Sequence, residues 1–107
     1  MLKTKDTIYR GMFKNGEFDG FGRYEDLNLH TIYEGNFIEG ERSGFGKEYG
    51  SNNTNSFIEY EGHWSNDQKH GLGEQSSRAH NHTEINYIEG KWLNNDLTET
   101  LKEISGS

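Results

Sequence analysis

One pattern recurs along this chain and limits what it can fold into. The segments YRGMFKNGEFDGFG (Tyr9–Gly22), YEGNFIEGERSGFG (Tyr33–Gly46) and YEGHWSNDQKHGLG (Tyr60–Gly73) share Tyr-x-Gly-x-(Phe/Trp), six intervening residues and Gly-x-Gly. A fourth segment, IEGKWLNNDLTETL (Ile88–Leu101), keeps the first half and loses the second. The leading glycines Gly11, Gly35, Gly62 and Gly90 are 24, 27 and 28 residues apart. A period of 20–50 residues marks an array of small units that bury their faces by stacking on one another.

The spacing inside each copy defines the unit. Tyr9, Gly11 and Phe13 alternate and so share one face of a strand. Asn15-Gly16 is the preferred dipeptide for a two-residue hairpin turn, whose central residues both need positive φ. Glu39-Gly40, Asn66-Asp67 and Asn94-Asn95 fall at the same place. A simple antiparallel register about these turns sets Phe13 against Phe18, Gly11 against Gly20 and Tyr9 against Gly22. The later copies then pair Gly35 with Gly44, Tyr33 with Gly46, Gly62 with Gly71 and Tyr60 with Gly73. The expectation is an all-β chain of tandem antiparallel hairpins, one per repeat, over about 8–24, 32–48, 59–75 and 87–101. All lie within a single domain spanning 1–107. Each tyrosine ring lies on a side-chain-free glycine floor, and the neighbouring hairpin's aromatic approaches the backbone beside it. The segments 25–31, 50–57 and 76–84 read as surface connectors of varying length.

Composition fits such an array. Hydrophobic residues make up only 29% of the chain and valine is absent, while aromatics reach 13%. With 14 glycines and no proline, glycine is used selectively rather than as linker filler. A buried aromatic removes about 150–250 Å² from water, so rings can replace the missing aliphatic core. The absence of cysteine excludes disulfides and thiolate metal sites and suits a reducing compartment. No apolar run is long enough for a signal or a spanning helix, which leads to the expectation of a soluble, cytoplasmic protein. The sequons at Asn52 and Asn81 are then idle. A net charge of −7 argues against nucleic acid.

This pattern resembles the MORN-repeat family, whose unit is close to Tyr-x-Gly-x-(Phe/Trp)-x-x-Gly followed by Gly-x-Gly. The first two copies match throughout, the third has Asp67 at the turn glycine, and the fourth has Ile88, Glu99 and Leu101 at the tyrosine and late glycine positions. The resemblance implies an elongated, twisted single-layer sheet with a groove, acting as a non-catalytic module that binds protein partners. It also allows membrane phospholipid contact, a peripheral place at membrane or cytoskeleton, or a regulatory role inside a larger enzyme. The decayed fourth copy reads as a cap, with Trp92 and Leu97 covering the third.

The candidate partner-binding residues are the ring row Tyr9, Phe13, Tyr33, Phe37, Tyr60, Trp64 and Trp92. A single-layer sheet cannot bury both faces, so some of these rings, or the outer residues Phe21, Phe45 and Leu72, are expected to stay partly exposed. The structural glycines are Gly11, Gly20, Gly22, Gly35, Gly44, Gly46, Gly62, Gly71, Gly73 and Gly90. The acidic balance points to a basic helix or extended basic peptide as partner. Open sheet edges allow homodimers. No cofactor or metal is expected. His80-Asn81-His82, with Glu84, resembles a nuclease triplet but lacks that frame and reads as a solvated loop. His63 and His70 face each other in the simple register as a polar outer pair. GEFDGFG and GERSGFG precede strands, not the helix N-terminus that a phosphate loop needs. No nucleophile–base couple or paired catalytic carboxylates stand out.

Overall fold

The computed structural model describes residues 2–51, 57–78 and 85–104. Among these residues, nine strands form one antiparallel sheet in strict chain order. They are β1 (Leu2–Lys3), β2 (Thr7–Lys14), β3 (Glu17–Asp26), β4 (Thr31–Ile38), β5 (Glu41–Ser51), β6 (Phe57–Ser65), β7 (Gln68–Arg78), β8 (Asn86–Leu93) and β9 (Asp96–Ile104). The sheet is a single layer measuring 48 × 30 × 16 Å. Strands β2–β3, β4–β5, β6–β7 and β8–β9 are the four hairpins read from the sequence. The strands run beyond the motifs, so the ends of the expected connectors belong to them: Gly50 and Ser51 to β5, Phe57 to β6, and Ser76–Arg78 to β7. The histidine triplet and both sequons lie outside the described residues.

All four turns have positive φ at both central residues: Asn15 and Gly16, Glu39 and Gly40, Asn66 and Asp67, Asn94 and Asn95. This is the backbone twist that two-residue hairpins prefer. Each of the last three turns is also fastened to the repeat before it. The amides of Gly40, Asp67 and Asn95 donate to the carbonyls of Phe18, Arg42 and Lys69 at 2.9, 3.0 and 3.2 Å. Asp67 and Asn95 add a return bond, because their Oδ1 atoms accept from the amides of Arg42 and Lys69, both at 2.9 Å. The departure from glycine at these two turns therefore supplies an acceptor that Gly40 lacks.

The simple register holds only near the turns. Phe13 pairs with Phe18, but Gly11 pairs with Gly22 and Tyr9 with Tyr24. Likewise Gly35 meets Gly46 with Tyr33 opposite Glu48, and Gly62 meets Gly73 with Tyr60 opposite Gln75. The expected pairs Gly11–Gly20, Gly35–Gly44 and Gly62–Gly71, and the tyrosine–glycine pairs beyond them, do not form. A bulge carrying two extra residues on the returning strand intervenes, with Gly20, Gly44 and Gly71 at positive φ within it. Because the slip is two residues rather than one, every side chain keeps its face.

The bulge has a chemical reason. At Met12, Asn36 and His63 the ladder is interrupted, and the carbonyls of these three residues accept the hydroxyl protons of Tyr9, Tyr33 and Tyr60 at 2.7, 2.8 and 2.9 Å. To reach them, each tyrosine lies along its own strand over the paired glycines. The glycine floor thus exists, reached along the strand instead of directly across it. A Cβ added to Gly46 would stand 2.1 Å from the Tyr33 hydroxyl, and one on Gly35 would stand 2.4 Å from the Gly46 Cα. The fourth hairpin makes the same displacement in two single steps. With Ile88 in place of tyrosine, the Thr98 hydroxyl donates to the Lys91 carbonyl at 3.1 Å, and Leu97 covers Gly90.

Two stability predictions follow from this backbone. Gly35→Ala meets backbone it cannot move and should cost about 3 kcal/mol or more, whereas Gly16→Ala, with open space around it, should cost only about 1 kcal/mol for its φ. Urea denaturation compares them. Glu39, at φ 50°, is the one turn residue here unsuited to the left-handed region, so Glu39→Asn should stabilise by about 1 kcal/mol, read as a raised Tm.

Candidate functional site

The rings read from the sequence form one continuous ladder. Edge-to-face contacts run Phe13–Tyr9–Phe37–Tyr33–Trp64–Tyr60–Trp92 with centroid separations between 5.0 and 5.4 Å. Alternation of tyrosine with Phe or Trp sets the positive edge of one ring against the negative face of the next. Trp64 and Trp92 also donate their indole N–H to the carbonyls of Gly46 and Gly73, at 3.1 and 3.4 Å. Six of the seven rings are buried and constitute the whole core among the described residues; Phe13 alone is largely exposed.

The ladder is roofed by a position that the repeat pattern leaves undefined, the second residue after each turn. It holds Phe18, Arg42, Lys69 and Leu97, opposite Phe13, Phe37, Trp64 and Trp92. Phe18 stacks flat on Tyr9 at 3.7 Å. The Arg42 guanidinium lies 4.5 Å from the Trp64 ring centre and 5.8 Å from that of Tyr33. The Lys69 ammonium lies 5.0 Å from both Tyr60 and Trp92. Each of these three side chains therefore covers its own tyrosine and the following repeat's aromatic, the two cations acting through the ring faces. Arg42 is held by an ion pair with Glu48 and by Asp67, to whose Oδ1 and backbone carbonyl it donates at 3.2 and 2.7 Å. Lys69 donates to Gln75 Oε1 at 3.0 Å.

Two of these covering residues, Phe18 and Arg42, line a groove of about 530 Å³ together with Tyr24, Asp26, Leu29, Glu48, Asp67 and the core rings Tyr33 and Phe37. Tyr24 and Phe18 pack against the core from this side. The sequence reading did not name Tyr24, Leu29 or Arg42 as site residues. The signal for Arg42 and Tyr24 is variation at fixed register, Phe/Arg/Lys at one position and Tyr/Glu/Gln at another, which a search for the shared motif discards, whereas Leu29 lies between β3 and β4 with no equivalent in the repeat. Of the two alternatives for exposure, the outer residues Phe21, Phe45 and Leu72 are all exposed, and of the rings Phe13 is. His63 pairs with Phe45 across β5–β6, and the bulge interrupts the simple pairing with His70.

Burial pushes the tyrosine hydroxyls of the ladder above their ordinary range. Tyr60 is raised to about 12, and Tyr33 and Tyr9 are raised as well, Arg42 partly offsetting the effect at Tyr33. Burial moves the Lys69 ammonium down, which the nearby Glu48 partly offsets.

An open meander of stacked hairpins, held by one ring ladder and roofed by interchangeable side chains, defines a β-repeat scaffold. The family model for the MORN repeat matches residues 9–26, 33–55 and 60–78, together more than half of the chain. The chain belongs to the MORN-repeat family. A comparison with curated proteins gives no match. MORN repeats serve in general as non-catalytic scaffold modules that bind proteins or membranes. The fourth hairpin, outside the matched segments, continues the same sheet and ladder.

The raised hydroxyls fix a pH dependence. A folded state that holds tyrosine protons more tightly than the unfolded chain keeps its full stability below about pH 10 and loses it as pH rises through about 12 for Tyr60. Tyrosinate absorbance of Tyr9, Tyr33 and Tyr60 should appear together with loss of near-UV dichroism, and Tyr60→Phe should flatten the decline.

Proposed function

We propose that this chain is a non-catalytic scaffold that holds a basic, partly apolar segment of a partner protein in the groove over repeats one to three. The observation that carries the reading is the groove's mixed wall. Phe18, Tyr24 and Leu29 offer apolar surface beside the carboxylates of Asp26, Glu48 and Asp67. The cation within it, Arg42, is engaged by Glu48 and Asp67. A net charge of −7 adds a long-range field of the same sign, which raises the association rate of a basic segment and makes it salt-dependent. The buried ladder rings act as the rigid floor, while Phe18, Tyr24 and Leu29 make the contact.

Fluorescence anisotropy with a labelled Lys/Leu amphipathic peptide and its Glu/Leu counterpart tests this. The basic peptide should bind at least tenfold more tightly, weaken as salt rises, and lose at least tenfold in affinity to the Tyr24→Ala/Leu29→Ala variant. Equal binding of both peptides, or tight binding to anionic vesicles at physiological salt without peptide binding, would overturn the reading.

A further inference from the structure

The face of the sheet away from the ring ladder carries apolar side chains that nothing covers. Phe45, Leu72 and Leu101, on β5, β7 and β9, are 50%, 53% and 49% exposed. Together with Glu61, Glu74 and Glu89 they line a depression of about 330 Å³.

The charges beside this apolar row follow a pattern that breaks here. Across β3 to β6, directly opposed residues alternate in sign as Arg23, Glu34, Lys47 and Glu61. Glu74 stands one residue after Gly-x-Gly, where the two earlier repeats place Arg23 and Lys47. It opposes Glu61 on one side and Glu89 on the other, and like charges directly opposite each other destabilise a sheet. Among the described residues none of these three carboxylates forms an ion pair. The neighbouring Lys47 and Lys91 turn instead to Glu59 and Glu99, at 2.8 and 3.2 Å. Lys102 lies opposite Glu89 without pairing with it. Glu89 accepts from the neutral Tyr87 hydroxyl at 3.1 Å, which leaves its charge in place.

We propose that this depression docks an amphipathic helix of a partner protein, laid across the strands of the third and fourth hairpins. Its arginine stripe covers Glu61, Glu74 and Glu89, and its apolar stripe covers Phe45, Leu72 and Leu101. Charge complementarity and pitch identify the occupant. Helix residues three or four apart rise about 4.5–6 Å, close to the spacing of about 4.8 Å between strands. Successive arginines therefore meet successive carboxylates. An extended segment repeats on one face only every 6.6 Å or so and falls out of step over three strands. A guanidinium supplies the cation that the alternation lacks at Glu74, with charge-assisted hydrogen bonds to the carboxylates. The surface is separate from the groove, and the inference does not rest on the groove reading.

The test is fluorescence anisotropy with a labelled Arg/Leu helical peptide whose arginines lie three or four residues apart on one stripe. Glu74→Lys and Leu72→Asn should each weaken binding at least tenfold. Glu17→Lys makes the same charge change on β3, away from the depression, and should leave affinity within about twofold, as should Tyr24→Ala/Leu29→Ala. Glu74→Lys also restores the alternation of sign, so its Tm should rise while its binding is lost. Undiminished binding by Glu74→Lys, or a loss confined to the Tyr24→Ala/Leu29→Ala variant, would overturn the proposal. So would the absence of binding to the unaltered protein up to millimolar peptide.

Discussion

A tyrosine lying over a pair of glycines, with its hydroxyl on a carbonyl three residues ahead, is the interaction on which this sheet depends. It explains the glycines, because any Cβ beneath the ring collides with it or with the facing backbone. It explains the bulge, which slips the register at the residue whose carbonyl the hydroxyl takes. It also makes the repeat a stacking unit, since the ring's other neighbour is the next repeat's aromatic. A sheet one layer thick has no second layer to bury against. Laying its largest side chains flat along its own strands lets it make a core within its own surface.

That economy leaves the roof position free to vary. Phe18, Arg42, Lys69 and Leu97 cover equivalent places, with contact geometry that depends on the ring below. An aromatic stacks, a guanidinium or ammonium settles over ring faces, and an aliphatic chain fills the gap where the tyrosine is missing. The groove inherits its chemistry from these choices. Its first part is apolar through Phe18 and Tyr24, and its middle is charged through Arg42 with Glu48 and Asp67. The geometry repeated from hairpin to hairpin lies below, and the individual character of the chain lies above.

Much of this fold was legible in the amino-acid order, because period-two alternation and turn dipeptides are local signals. Asn15-Gly16 and Asn94-Asn95 name their turns, and Tyr9, Gly11 and Phe13 name their face. The bulge was not legible, because the simple register and the slipped one place the same residues on the same face. Only the hydroxyl–carbonyl bond of Tyr33, a three-dimensional relation, distinguishes them. The groove was less legible still. Its walls come from Tyr24, Leu29 and Arg42, which repeat comparison treats as variable or leaves unmatched, whereas the motif rings that drew attention are mostly consumed by packing on each other. Thr98 replacing a tyrosine hydroxyl in the fourth hairpin has no signature outside the folded register.

The bonds from Gly40, Asp67 and Asn95 to the preceding repeats all lie at the two-residue turns. Together they form a seam along one margin of the sheet, which fixes the pitch from repeat to repeat independently of the opposite margin where the connectors lie. Evolution can therefore lengthen a connector, as the spacings of 24, 27 and 28 residues between the leading glycines illustrate, without changing the step of the array. New sequence can be tried out on one margin while the other keeps the ruler.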